Sequence, residues 1–511
     1  MSVAVHPNSA TRIPHRGLIT LSVMLASIMQ ALDNTIANVA LPHMQGSLSA
    51  TQDQMAWVLT SYIIAVAIMT PLSGWLAGQI GRRRVFLFSI VGFTLASALC
   101  GVAQTLTEIV IARLFQGICG AALIPMSQAV LLDINPPEKH ARAMALWVMG
   151  VVIGPILGPV LGGWLTENYN WRWVFYINVP FGVLSFLGVM WFMSETEIRK
   201  SRFDFFGFIS LSIAIGTFQL MLDRGQLRDW FNSTEIWIEA CVAGFALYLF
   251  IVHMMTTDKS PFVSPVLFRD RNFLTGNIFI FIVGVVLFAT LALLPPMLQD
   301  LMHYPVVLTG LVTAPRGIGT MAAMFLVSRL MGKIDTRLVI ASGFLLTAYS
   351  LWQMTHFYLQ MDDSLVIWSG FIQGLGTGFV YVPLATVTFA TLSPKYRNEG
   401  TAMFSLIRNL GSSIGISAVE AMLIRGSQLM HSRLAEQVTP YRHGLHSLPS
   451  SQLNTTSGLA HINGLVSTQA QMLSYNNDFK IMLILTLCAV PLTALLRTTR
   501  SNAPAESVVI E

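Results

Sequence analysis

About fourteen times along the chain a run of roughly twenty mainly apolar residues recurs, and no other feature restricts the fold so strongly. A run of that length is what a helix needs to cross ~30 Å of hydrocarbon, where each backbone N–H and C=O must be satisfied within the segment. The first six runs are Leu18 to Leu41, Met55 to Gly78, Val85 to Ala103, Leu106 to Gln128, Ala143 to Leu165 and Val174 to Met193. Two more follow, Phe205 to Leu222 and Ile236 to Met255. The last six are Phe273 to Leu294, Val306 to Ser328, Leu338 to Met354, Leu365 to Phe389, Thr401 to Leu423 and Phe479 to Leu496. They are continuous rather than alternating, which argues against a membrane β-barrel. Only 11% of the 511 residues are charged, against about 25% in soluble domains. Several water-soluble cores could not be covered with so little polar surface. The expectation is an all-α polytopic membrane protein.

The first run contains Asp33, is too long for the core of a signal peptide, and lacks an evident small-residue cleavage site, so it reads as an uncleaved first span. Arg82, Arg83, Arg84, Lys139, Arg142, Arg202, Arg269, Arg271, Arg329, Lys333, Lys395 and Arg397 fall on one side of the resulting topology, with Arg12, Arg16, Arg497 and Arg500 at its ends. Fewer, among them Arg172, Arg224, Arg228 and Arg425, fall on the other. By the positive-inside rule the first side is cytoplasmic and holds both termini. The net charge of +5 is then a topology signal, and no nucleic-acid partner is needed to explain it. Cys100, Cys119, Cys241 and Cys488 all lie in apolar runs and point neither to disulfides nor to a metal site.

Gln116-Gly117, with Pro125 beyond it, recurs as Gln373-Gly374 with Pro383 beyond it, an offset of 257. Ala143-Met144 recurs as Ala402-Met403, an offset of 259. Two halves of six helices are expected, at 18–194 and 273–497, with two linker helices at 205–255. Short tails occupy 1–17 and 498–511, and a polar loop on the non-cytoplasmic side occupies 425–478. This is the parallel-repeat plan of a secondary transporter, with a substrate path where the halves meet.

Within the spans a few residues break the apolar rule. Asp33 is an acid at membrane depth, costing at least ~2.5 kcal/mol on insertion scales. That cost is relieved if the group is often protonated or faces a wet cavity, either of which suits proton coupling or substrate contact. The alternative is an acid near the outer helix end that pairs with Asn34 or Asn38 and organises structure. Arg113 cannot discharge and must find an acid, a carbonyl or water. Arg316 and Arg408 are further embedded cations, Arg408 beside Asn409, and Glu420 follows near the outer end of its helix. Arg408 could partner an acid, bind an anionic substrate group or bond helices together. Gly150, Gly154, Gly158 and Gly162-Gly163 form a stripe that admits close helix approach, and Pro155 and Pro159 beside them let the helix bend.

The segments Leu32-Asp33-Asn34-Thr35-Ile36-Ala37-Asn38-Val39-Ala40-Leu41-Pro42, Arg113-Leu114-Phe115-Gln116-Gly117, Trp171-Arg172-Trp173 through Asn178 and Pro180, and Leu222-Asp223-Arg224-Gly225 carry a resemblance. With the Gly/Pro stripe they make the chain resemble the fourteen-helix drug:proton antiporters of the major facilitator superfamily, of the EmrB/QacA type. The resemblance runs from the first span to the last. It implies the major facilitator fold, two six-helix bundles plus two central helices, and efflux of small hydrophobic compounds driven by a proton gradient without a cofactor. It also implies roles for Asp33, Asn34, Asn38, Arg113 and Gln116 in proton coupling or substrate contact, and for the stripe as an antiporter motif. A bacterial inner-membrane location, a periplasmic adaptor and an outer-membrane channel follow from it too. Gly74, Gly81, Arg82 and Arg83 match the superfamily's cytoplasmic loop motif, but Gly78 stands where its acid is usual, which puts a charge lock built on that acid in doubt. The competing reading within transporters is an exporter of one physiological substrate such as a fatty acid, siderophore or amino acid. No P-loop, ligand cluster or nucleophile with its base argues for an enzyme.

Overall fold

The computed structural model describes residues 15–136, 139–196, 198, 202–257, 261–331, 333–438 and 455–496, and among them it is helical almost throughout. The first group is α1 (Arg16–Leu48), α2 (Gln52–Ile80), α3 (Arg82–Val102), α4 (Leu106–Gly120), α5 (Leu123–Ile134), α6 (His140–Asn168), α7 (Trp173–Tyr176) and α8 (Asn178–Phe192). Next come α9 (Phe205–Gly225) and α10 (Thr234–Thr256). The second group is α11 (Val266–Arg269), α12 (Arg271–Pro296), α13 (Val306–Thr313), α14 (Pro315–Leu330), α15 (Thr336–Met354), α16 (Asp363–Ala390), α17 (Arg397–Ala435) and α18 (Thr456–Leu492). Short polar residues between the runs start the helices by accepting from exposed backbone N–H groups: Thr51, Thr105, Asp204, Asp270, Asp362 and Thr455 all cap in this way.

Twelve helical segments among the described residues are long and apolar enough to cross a membrane. Outside that set, α6 contributes the shorter apolar stretch His140–Gly154, and α15 spans 19 residues. Both are packed inside the assembly, α6 on α1 and α15 on α16 and α18.

Two expected spans are each divided. The run from Leu106 splits at Ala121 and Ala122, and the run from Val306 splits at Ala314. A proline follows each break, Pro125 and Pro315, and neither can return a hydrogen bond to the turn before it.

The polar stretch expected as a loop from Arg425 is largely helix. α17 continues to Ala435 and α18 begins at Thr456, so the two extend together, with His431 and Asn463 bonded at 2.9 Å and Ser474 donating to the Leu423 carbonyl at 2.9 Å. At 37 residues α18 is about 55 Å long, well beyond the hydrocarbon core. Residues 439–454 of that stretch, the tail 498–511 and residues 1–14 lie outside the described residues.

Helices α1 to α8 pack on one another, as do α12 to α18. The groups meet where α17 crosses α2 and α5, and where α13, α14 and α16 face α6. α9 packs on α2, α17 and α10; only 22% of the apolar window of α10 is buried, so that helix is peripheral.

Candidate functional site

The polar exceptions of the first group converge on one point. Arg113, on α4, donates from Nη1 to Asp33 Oδ2 on α1 at 2.6 Å and to Gln116 Oε1 at 2.8 Å, and from Nε to the Val58 carbonyl on α2 at 3.2 Å. Gln116 and Asn178 both donate to Asp33 Oδ1, at 2.9 and 2.8 Å. Asn178, opening α8, also reaches Ser97 Oγ on α3 at 2.9 Å, and Ser97 donates to the Phe175 carbonyl at 2.9 Å. The Tyr62 ring lies under the guanidinium, 4.2 Å from Cζ to the ring centroid. Asp33, Gln116, Asn178 and Ser97 are 0% exposed and Arg113 is 1% exposed. Five helices thus meet at a fully desolvated ion pair. Removing one partner of such a pair costs about 3–5 kcal/mol, because the other is left buried and unpaired.

This geometry answers what the sequence left open. Asp33 is fully buried, and three donors hold it. Asn34 and Asn38 do not pair with it: both are exposed, on other sides of α1. Asn178, Ser97 and Tyr62 were not singled out as site residues. The available signal was polar side chains recurring inside apolar runs, but a lone Asn or Ser in a span is equally suited to bonding its own helix backbone.

The glycine stripe packs on α1 beside this network. A Cβ at Gly154 would lie 2.6 Å from the Ala31 carbonyl carbon and the Leu32 nitrogen, and one at Gly158 would lie 2.2 Å from Thr35 Oγ1. At Gly150 it would meet Met24 at 3.0 Å. Thr35 donates to the Gly154 carbonyl at 3.2 Å, tying α6 to the turn that carries Asp33. Gly162 and Gly163 are buried further along; Pro155 and Pro159 lie in α6, with side chains outside the described residues.

A second cluster closes the face that carries Arg82. Its Nη1 donates to Asp133 Oδ2 at 2.5 Å, and Arg397 of α17 donates to Asp133 Oδ1 at 2.6 Å, so one carboxylate joins the two groups of helices. Where the loop motif lacks its usual acid, the anion that Arg82 meets is Asp133, at the end of α5. Arg83 donates its backbone N–H to Glu195 Oε1 at 3.1 Å and its side chain to the Met190 carbonyl, while Arg84 pairs with Glu195 at 3.7 Å. Gly81 turns the chain at φ 93°, where a Cβ would also strike Glu195 at 2.3 Å. Gly74 lets α2 touch α17, its Cβ position being 3.0 Å from Glu399 Cα.

The remaining candidates stand apart. Arg408 donates to Tyr381 Oη at 3.1 Å and Asn409 Oδ1 at 3.3 Å. Arg316 donates to the Leu287 carbonyl at 3.2 Å. Glu420 is exposed in the middle of α17 rather than near a helix end.

One helical group built around a buried acid–base pair, a second group packed against it and a charged clamp joining the two at one face fit a polytopic membrane transporter. Residues 23–416 match the Major Facilitator Superfamily, and the chain belongs to that family. It is 38% identical over 481 residues to the fatty acid resistance protein FarB of Neisseria gonorrhoeae, covering 93% of this chain and 94% of that one. It is 37% identical over 457 residues to the multidrug export protein EmrB of Escherichia coli strain K12, covering 89% and 87%. Among solved structures, the human organic anion transporter MFSD10 shares the fold with a TM-score of 0.59 at 12% identity, covering 93% of this chain and 100% of that one. The chain is a transporter and not an enzyme.

Proposed function

We propose that this protein exports hydrophobic and amphiphilic compounds across a bacterial inner membrane in exchange for protons, by alternating access. One observation carries the reading: the buried Asp33–Arg113–Gln116–Asn178 network, held against the glycine stripe of α6. All three contacts to the Asp33 carboxylate come from donors. Three of the carboxylate's roughly four lone-pair sites are taken by donors, one of them a guanidinium, and relative movement of α1, α4 and α8 would free its oxygens for a proton. Proton occupancy and helix position are thereby coupled. The Arg82–Asp133–Arg397 clamp supplies the opposing contact, which must part when that face opens. In this reading α6 and α15 also cross, giving fourteen spans, and the clamp and both termini are cytoplasmic.

The similarity to a multidrug export protein supports a broad substrate range, with α17 and α18 projecting beyond the outer face as the surface a periplasmic adaptor and outer-membrane channel would engage. The comparable similarity to a fatty acid resistance protein favours a second reading, export of a narrower set of acidic lipids.

The test is transport by purified protein in proteoliposomes under an imposed pH gradient. Asp33→Asn is expected to abolish gradient-driven efflux while the folded protein persists by size-exclusion profile. Efflux at the wild-type rate from the variant would remove Asp33 from the coupling machinery.

A further inference from the structure

The two halves can be compared at the level of single bonds. Thr290, on α12, stands 257 residues after Asp33, the offset that relates Gln373 to Gln116, and Gln373 Nε2 donates to Thr290 Oγ1 at 3.1 Å as Gln116 donates to Asp33. The second half therefore keeps the bond and lacks the acid. The helix crossing is kept as well. A Cβ on Gly117 would lie 2.6 Å from the carbonyl oxygen of Tyr62 on α2, and one on Gly374 would lie 1.9 Å from that of Arg316 on α14. Gly370 occupies the register of Arg113, and a Cβ there would lie 3.8 Å from Arg316 Cβ. The cation has thus moved from the fourth helix of the half to the second, into the place Tyr62 holds in the first half, and a glycine admits it.

What the second half does not place beside Arg316 is an anion. Arg316 is 8% exposed, its Nη1 has no partner, and no carboxylate lies within ion-pairing distance of it among the described residues. Gln373 Oε1 is likewise buried without a partner. Beside them, a cavity of about 20 Å³ is lined by Leu287, whose carbonyl accepts from Arg316, by Gln373 and Thr377, and by the apolar Val283, Val286 and Phe344. A buried guanidinium with a free donor calls for an anion, and since a cavity of this size has room for about one water, a hydrocarbon chain enters along its apolar walls only once the surrounding helices part. Pro315 begins α14 after the break at Ala314, and α14 packs on α6 across the junction of the halves, so separation there gives a route to the site.

We propose that Arg316 is the recognition point for the carboxylate of an amphiphilic substrate, filling the place that Asp33 fills beside Arg113. The proposal rests on the export reading and names the substrate class for it.

Binding of dodecanoate and of the uncharged dodecanol, which share a tail, is measured by calorimetry on protein in phosphatidylcholine nanodiscs without a pH gradient. Arg316→Gln is expected to weaken dodecanoate at least tenfold, about 1.4 kcal/mol, and leave dodecanol unchanged. Thr290→Asp, which supplies an internal carboxylate in the register of Asp33, is expected to weaken dodecanoate similarly with Arg316 in place, so the test survives if Arg316→Gln does not fold. Wild-type dodecanoate affinity in either folded variant, or equal weakening of both ligands, overturns the proposal. Gradient-driven transport is read separately in proteoliposomes. Arg316-dependent binding without any transport defeats the export reading and leaves the anion site standing; transport with Arg316-independent binding does the reverse.

Discussion

Gly154→Ala places one methyl group at the contact between the glycine stripe and the turn that carries Asp33. The added Cβ would sit 2.6 Å from backbone atoms of Ala31 and Leu32, and backbone cannot swing aside as a flexible side chain can. Ordinary carbon contacts begin near ~3.5 Å, so α1 and α6 must part by close to ~1 Å. Overpacking of that size costs about 1–3 kcal/mol, offset by up to ~1 kcal/mol of better helix propensity in Ala than Gly. The net loss of stability is small. The functional consequence is larger: Asp33 follows the contact by one residue, and its 2.6 Å bond to Arg113 would stretch beyond hydrogen-bonding range if α1 moved by that amount. Gly154→Ala is therefore expected to melt within a few degrees of wild type in detergent and to lose at least tenfold in gradient-driven efflux. Gly46→Ala, on the same α1 with open space around the added carbon, is the matched control and should transport normally. Full efflux by Gly154→Ala in proteoliposomes would refute the link between the stripe and the acid.

Three further outcomes follow from the geometry. In a double-mutant cycle of Asp33→Asn and Arg113→Gln, unfolding in mixed micelles should give a coupling of about 2 kcal/mol or more, since each single variant strands a buried partner and the double strands none; additive effects would show the pair to be independent. Asn178→Asp should be far more damaging than Asn178→Ala in expression and thermal stability, because it sets a second carboxylate at a site 2.8 Å from Asp33, whereas the alanine only removes donors, at about 1–3 kcal/mol; equal damage would contradict the assigned bond. Asp133→Asn frees Arg82 and Arg397 from their shared partner, and because Asp133 is 31% exposed the loss is discounted to ~1 kcal/mol; distances between spin labels across that face should lengthen in a larger fraction of molecules, and an unchanged distribution would sink the clamp.

Much of the fold was legible in one dimension because the bilayer imposes a local rule. Every span must satisfy its own backbone, so span length and apolarity appear in consecutive residues, and the stripe from Gly150 to Gly163 advertises close packing by its four-residue period. The repeat was readable from Gln116-Gly117 and Gln373-Gly374, and Asp33, Arg113, Arg316 and Arg408 were conspicuous as charges where charge is costly. Partnerships were not legible, since they depend on which helices become neighbours. Arg113 and Asp33 are 80 residues apart, Asn178 and Asp33 145, and Arg397 and Asp133 264, and nothing local in either segment specifies the other. Asn34 and Asn38 looked like natural companions of Asp33, yet rotation about α1 points them elsewhere. The sequence by itself determined the class of protein and the short roster of costly residues, because solvation acts on each segment alone. Only the tertiary structure decided that the acid of the first half is neutralised while the cation of the second is left open, because pairing is a property of the space between helices.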